Sequence, residues 1–211
     1  MNLSEARLYG ILDLGYITPA DAPTVARQMI QAGVDIVQLR AKKLPIENFT
    51  KLALELAPIF AGAHIPFILN DHPELVTETG ATGAHVGQDD LSVAEARRLA
   101  GPHALIGKST HSLAQARLGG AEADYIGFGP LFATPTKPDY PPIGVADIQI
   151  AVTSVPVPVF CIGGIKLENL PLVLAAGTQR VVIVSGLLQA DDLVAYGRAV
   201  KAALAQANLT A

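Results

Sequence analysis

The sequence predicts an α/β protein, a (β/α)8 TIM barrel forming a single domain over residues 1–211, and three observations carry that expectation. Eight short apolar runs alternate with helix-like stretches at a nearly constant beat. The runs are rich in Val and Ile and mostly apolar on both faces, as strands buried in a parallel sheet are. The chain has 211 residues, within reach of a fold that typically takes about 250 and is built from as few as roughly 200. A doubly wound open sheet is the main rival. Eight strands in so short a chain, with no long edge element and no break in composition, favour closure.

The elements follow in order. The first run, 8–12, precedes Asp21-Ala22-Pro23, a cap with an early proline, and an amphipathic stretch over 24–31. The run 36–39 leads to a second stretch, 47–60. Runs 66–69 and 83–86 come next, and then 92–99 opens on a capping box in which Ser92 and Glu95 satisfy each other's backbone N–H groups. Runs 104–107 and 125–128 flank a stretch at 112–118. The stretch 147–152 leads to the run 157–162, and 167–176 to the run 180–184; 190–205 closes the series. Gly33, Gly80, Gly101 and Gly177 stand where helices should stop, as glycine does in a left-handed C-terminal cap.

Half the residues are hydrophobic and 16% are charged, which excludes the disordered class. A formal net charge of −4 leaves no broad basic field for nucleic acid, so any basic site is local. Residues 1–7 are polar, and no apolar segment is long enough to span a bilayer. The expectation is a soluble, cytoplasmic protein with neither nucleic acid nor membrane as partner; a homo-oligomer stays open. The lone Cys161 lies in an apolar run and reads as a buried core thiol, with a catalytic thiol as the alternative.

Catalytic groups of such a barrel gather where strands end and βα loops begin. After the second run, Gln38, Arg40 and Lys42 are spaced by two and share one face of an extended segment. Two cations there form a clamp for a di- or polyanion, or else a solvated basic strand end. Asn70-Asp71 follows the third run and Gly87-Gln88-Asp89-Asp90 the fourth. Asp71 and Asp90 read either as helix caps or as carboxylates converging on Mg2+, which takes one or two from the protein and fills its shell with water and phosphate. The fifth exit, 107–111, offers Ser109 and Thr110; His111 is either an acid/base or a structural histidine, and His85, inside a strand, reads as a satisfied core histidine. The sixth exit carries Thr134, Pro135, Thr136 and Lys137, suited to phosphate oxygens, on a loop running on to Gly144 that would act as a cover. Gly163-Gly164 and Val184-Ser185 end the seventh and eighth runs, where backbone N–H groups commonly bind phosphate; Gly163 as a packing glycine is the other reading. Two anion sites therefore face each other, which suggests two phosphorylated small-molecule ligands.

These motifs resemble the thiamine phosphate synthase family nearly throughout: QLRAK (38–42), ND (70–71), GAHVGQDDL (83–91), STHS (109–112), DYIGFGPLFATPTK (124–137), IGGI (162–165) and the strand ending in Val184-Ser185. The resemblance implies a transferase that joins a hydroxymethylpyrimidine diphosphate to a thiazole phosphate, or its carboxylated form, releasing diphosphate through a pyrimidinylmethyl cation. It implies that Gln38, Leu39, Arg40, Ala41, Lys42, Asn70, Ser109 and Lys137 bind the pyrimidine diphosphate, with Arg40, Lys42, Lys137 and Ser109 acting in catalysis. Asp71 and Asp90 would carry Mg2+. Thr134, Pro135, Thr136, Gly164, Val184 and Ser185 would hold the thiazole phosphate. Two alternatives accompany it: the related thiazole tautomerase, with His111 as proton shuttle, and a non-catalytic sensor of a thiamine precursor. His72-Pro73 after Asn-Asp, Lys108 at a usually apolar position and the segment 138–142 depart from the family's pattern.

Overall fold

In the computed structural model, which describes residues 3–134 and 141–207, each of the eight apolar runs is a strand. They are β1 (Leu8–Asp13), β2 (Ile36–Arg40), β3 (Phe67–Asn70), β4 (Gly83–Val86), β5 (Leu105–Thr110), β6 (Tyr125–Phe128), β7 (Val159–Cys161) and β8 (Val181–Ile183). Every neighbouring pair is parallel, and β8 returns to β1 through Leu8↔Val181 and Gly10↔Ile183, closing the barrel. The helices are α1 (Ala22–Gln31), α2 (Ile46–Gly62), α3 (Val76–Thr79), α4 (Val93–Ala100), α5 (Leu113–Glu122), α6 (Ile148–Ser154), α7 (Leu170–Ala175), α8 (Ser185–Leu188) and α9 (Leu193–Ala207).

Alternation along the strands separates two cores, because successive side chains point to opposite faces. Leu8, Leu12, Val37, Leu39, Leu69, Val86, Ile106, Ile126 and Phe128 point outward and join Met29, Phe49, Leu56, Phe60 and Leu204 of the helices. Tyr9, Ile11, Ile36, Ile68, Tyr125, Phe160 and Val182 point inward and plug the barrel. The same alternation aims Gln38, Arg40, Asn70, His85 and Ser109 into the open end above that plug. At the opposite end the buried Asp35 carboxylate accepts from the N–H groups of Arg7 and Leu8 and from Lys201 Nζ at 2.7 Å, tying β1 and α9 to the start of β2.

The capping box at Ser92 and Glu95 is formed in both directions, and Gly33, Gly80, Gly101 and Gly177 all take positive φ at helix ends. Four local expectations need correction. β5 runs three residues beyond position 107, so Lys108, Ser109 and Thr110 belong to the strand and not to its exit loop. α5 continues through Gly119 and Gly120 instead of stopping at 118; a Cβ on Gly120 would stand 2.4 Å from Val155 Cγ1, so the glycine serves close packing. A 3-10 turn at Pro73–Leu75 and the single-turn α3 fill the connection after β3, where the sequence marks no helix. The final helix begins at Leu193, and residues 185–188 form the separate α8.

Barrel closure leaves no room for a side chain at position 83. An ideal Cβ there would lie 1.9 Å from the carbonyl oxygen of Leu105, 2.7 Å from its carbonyl carbon and 2.8 Å from its nitrogen. Strand backbone cannot give way as a side chain does. Gly83→Ala is therefore expected to destabilise the fold by about 3 kcal/mol, at the upper end of the usual cost of overpacking, measured as the change in urea midpoint at constant m-value.

Candidate active site

The inward polar residues and the β6, β7 and β8 exits enclose a cavity of about 890 Å3, counted to include its open mouth. Its walls are largely apolar, with Ile11, Phe160, Ile162, Val182 and Val184 among them. Of the residues expected at a site, Gln38, Arg40, Asn70, Ser109, Thr134, Gly164, Val184 and Ser185 line this one cavity. Leu39 and Ala41 do not: both side chains are packed in the outer core, so only their backbone is available to a ligand. Pro135, Thr136 and Lys137 lie outside the described residues, as do residues 138–140 of the loop expected to act as a cover.

Arg40 is held by a residue that the sequence pattern leaves unmarked. Its Nη1 lies 2.7 Å from Asp13 Oδ2, and the other Asp13 oxygen accepts the Gly15 N–H at 2.9 Å. Asp13 is 2% exposed at the end of β1. The apolar run stops at Leu12, one residue short of the strand's end, which hides the first exit; an acidic residue two positions after Ile11, on the inward face, is the signal that could have found it.

Lys42, Asp71 and Asp90 form a second cluster beyond the ends of β2, β3 and β4. Lys42 Nζ is 2.5 Å from Asp71 Oδ2, and the Asp71 and Asp90 carboxyl groups hydrogen-bond to each other. Asp90 Oδ2 also accepts the Gly87 N–H at 2.6 Å. Asp71 has φ 63°, in the left-handed region that aspartate tolerates better than most residues. Its N–H donates to the His85 carbonyl at 2.9 Å, continuing the β3–β4 ladder one step past Asn70. Burial pushes the Asp71 carboxyl above the ordinary carboxylate range, Lys42 opposes that, and the neighbouring Asp90 adds to it. Burial acts on Asp90 in the same direction but is outweighed by the Gly87 N–H, the hydrogen bond with Asp71, Lys42 and Lys108, so Asp90 stays low. The neighbouring carboxyl groups are thus pushed apart, Asp71 upward and Asp90 downward. Among the described residues no group of three or more His, Cys, Asp and Glu is placed to hold a metal. Two hard oxygen donors crowded together suit a cation such as Mg2+, which draws its remaining ligands from phosphate and water.

Ser109 and His85 meet at 2.9 Å (Oγ to Nε2), and His85 Nδ1 lies 3.3 Å from the Tyr125 hydroxyl. His85 is thus satisfied, as expected, but it lines the cavity and is not mere filling. Burial drives the phenols of Tyr9 and Tyr125 well above their ordinary values, so both stay protonated. Both sit within apolar strand runs of the sequence, and only the inward phase of β1 and β6 marks them. His111 Nδ1 bonds the Gly129 carbonyl, and its N–H donates to Gln115 Oε1 at 2.7 Å. Lys108 stays off the cavity wall, as its position next to Ser109 implies, yet its Nζ reaches the Gly87 carbonyl at 2.6 Å. Cys161 is buried, and its thiol is pushed up to about 12, which fits an inert core thiol.

At the seventh exit Gly163 and Gly164 have φ of 100° and 65°. A Cβ on Gly163 would come within 2.4 Å of Pro130 Cα, so packing does require that glycine. The carbonyls of Ile162, Gly163 and Gly164 accept from the Leu131 N–H, the Phe132 N–H and Asn169 Nδ2. These bonds fix the peptide planes. In a trans peptide the following N–H points away from the carbonyl, which turns the Gly163 and Gly164 N–H groups away from the loop after β6.

The family model described as thiamine monophosphate synthase matches residues 8–187. A thiamine-phosphate synthase of Pelotomaculum thermopropionicum is 38% identical over 208 residues, 97% of this chain and 94% of that protein. One of Shouchella clausii is 39% identical over 204 residues, covering 96% and 98%. Among solved structures, thiamine phosphate pyrophosphorylase from Pyrococcus furiosus superposes with a TM-score of 0.86 at 25% identity, covering 96% of each chain. The matched span begins with β1 and ends inside α8, so it takes in every strand and every described side chain assigned to the site: the chain belongs to the thiamine monophosphate synthase family.

Proposed function

We propose that this protein condenses a 4-amino-2-methylpyrimidinylmethyl diphosphate with a thiazole phosphate, releasing diphosphate and forming thiamine phosphate in the cytoplasm. The observation that carries the reading is the contact of Asp71 with both Asp90 and Lys42. Two carboxyl groups from neighbouring strand exits share one spot, and burial and mutual repulsion raise the pKa of one of them. Asp71 and Asp90 would hold Mg2+, which when bound supplies a Lewis acid for the diphosphate oxygens.

The remaining roles belong to the chain's own groups. Arg40, fixed by Asp13, lines the cavity and turns its positive charge toward the diphosphate. Lys42 stands beside the acidic pair and shifts toward the same anion once Asp71 is otherwise neutralised. The C–O bond breaks with its electron pair leaving on diphosphate, and the pyrimidinylmethyl carbon becomes a cation stabilised by the amino-substituted ring. Gln38, Asn70 and Ser109 orient that ring, and the apolar walls at Phe160 and Ile162 exclude water that would capture the cation. The thiazole nitrogen then forms the C–N bond, so alignment of the two substrates supplies much of the rate. Gly164, Val184, Ser185 and Thr134 line the side of the cavity where the thiazole phosphate would rest; on the sequence pattern Pro135 and Thr136 join them, and Lys137 joins the groups that take the diphosphate. No side-chain nucleophile is required.

Mixing both substrates with Mg2+ tests this. Diphosphate and thiamine phosphate are expected in equal amounts, with neither product when EDTA is added. Conversion of the thiazole carboxylate phosphate to its tautomer without diphosphate release would replace this reading with the isomerase. Binding of either ligand without turnover would replace it with a sensor.

A further inference from the structure

Five polar side chains from five strands form one hydrogen-bonded line across the barrel above its apolar plug. Gln38 Nε2 donates to the Tyr9 hydroxyl at 2.8 Å, and the Tyr9 and Tyr125 hydroxyls are 3.0 Å apart. Tyr125 meets His85 Nδ1 at 3.3 Å, and His85 Nε2 meets Ser109 Oγ at 2.9 Å. The line is built for. A Cβ at Gly107 would lie 2.2 Å from Tyr125 Cζ and 2.4 Å from His85 Nδ1, so glycine at that position is what allows the two rings to meet. Neighbouring inward positions carry Ile36, Ile68 and Val182, which shows that the barrel interior accepts apolar filling.

Such a line has a direction. An amide nitrogen only donates, and each phenol has a single proton to give. With Gln38 Nε2 donating to Tyr9, the Tyr9 proton passes to the Tyr125 oxygen and the Tyr125 proton to His85 Nδ1. The imidazole then carries its own proton on Nε2 and gives it to Ser109 Oγ. The Ser109 proton is left for the cavity. Turning the Gln38 amide over reverses every step: Ser109 would donate to His85 and face a ligand with lone pairs only.

We propose that Tyr9, Tyr125 and His85 are positioning residues that couple the Gln38 amide orientation to the Ser109 hydroxyl, so that the cavity presents an acceptor at Gln38 and a donor at Ser109. That pattern complements an amino group next to a ring nitrogen, which donates at the first atom and accepts at the second. It mismatches the corresponding oxo heterocycle, whose carbonyl and ring N–H have the opposite sense. The inference deepens the proposed function and rests on its aminopyrimidine substrate.

The test is binding of the 4-amino and 4-oxo pyrimidinylmethyl diphosphates, with Mg2+, by calorimetry. The native protein is expected to prefer the amino form by at least about 10²-fold, because a site built around hydrogen bonds rejects a mispaired partner strongly. Tyr125→Phe should cut that preference by at least about tenfold while leaving the affinity for inorganic diphosphate unchanged, a split that a general loss of structure would not give. In a Ser109→Ala background Tyr125→Phe should have no further effect on the preference. Tyr9→Phe breaks the line one link earlier and serves as a second variant, should Tyr125→Phe not fold. An unchanged preference in either folded variant, or an equal loss in the Ser109→Ala background, overturns the coupling. A native protein that turns over both substrates while the variants keep the full preference sinks the relay alone. A native protein that neither binds the aminopyrimidine diphosphate nor releases diphosphate sinks the proposed function and the relay with it.

Discussion

Arg40→Ala is expected to lower kcat/KM for diphosphate release by roughly 10²- to 10³-fold, the range found when one preorganised partner of a developing negative charge is removed. The magnitude follows from how the guanidinium is held. Asp13 takes one of its N–H groups, Gly15 takes the other Asp13 oxygen, and the pair is largely buried at the ends of β1 and β2. The charge is therefore fixed in place before substrate arrives and loses little entropy on binding it. Arg40→Lys should recover only part of the rate, because an ammonium group cannot hold Asp13 and present a planar fork at once. Arg40→Ala also strands a buried carboxylate, which costs about 3–5 kcal/mol. Arg40→Met combined with Asp13→Asn removes that complication: it should regain stability in urea denaturation while its turnover stays low. A stable double variant with native kcat/KM would take Arg40 out of the mechanism.

The barrel was legible because its strands are buried on both faces and so stand out as apolar runs of nearly constant spacing. What was not legible is the phase of those runs. Tyr9 and Tyr125 look like core aromatics in a one-dimensional reading, and only closure shows that they share the inner face with Gln38, His85 and Ser109. Asp13 is hidden in the sequence for a related reason. Strand ends are the least defined part of an apolar run, and β1 extends one polar residue past its last leucine because that carboxylate is satisfied by Arg40 and Gly15. β5 likewise carries polar residues inside the strand, since Ser109 and Thr110 find partners in His85 and in the Gly127 carbonyl. Glycine pairs are ambiguous in the same way: at 119–120 they permit helix packing, and at 163–164 they form a left-handed turn. Pairs such as Asp71 and Asp90 were easier, because residues following adjacent strands of a parallel barrel are brought together by the register itself. Asn70 pairs with His85, which places both acidic loops on one side of the mouth.

Asp71→Asn is expected to raise the Mg2+ concentration for half-maximal activity, and the Mg2+ dissociation constant measured directly in the presence of diphosphate, by at least about tenfold. Loss of even an outer partner of a metal ligand costs about 10- to 100-fold in affinity, and here a donor itself loses its charge. Asparagine is the substitution that isolates charge. It tolerates the left-handed backbone at position 71, and its amide can donate a hydrogen bond to Asp90. The same change should leave the metal-free protein no less stable, and the sign of the pKa shift says why. A carboxyl group raised in the folded state favours folding below its unfolded pKa, and that contribution is lost as pH rises through the folded value. At neutral pH the ionised Asp71 is therefore a burden that a neutral amide side chain would lift. A variant with weaker Mg2+ binding and an equal or higher denaturation midpoint would identify Asp71 as a residue kept at a cost in stability for its metal. Identical Mg2+ titrations in the two proteins would mean that Asp71 serves only to hold Lys42, and the diphosphate chemistry would then have to rest on Arg40 and its neighbouring cations.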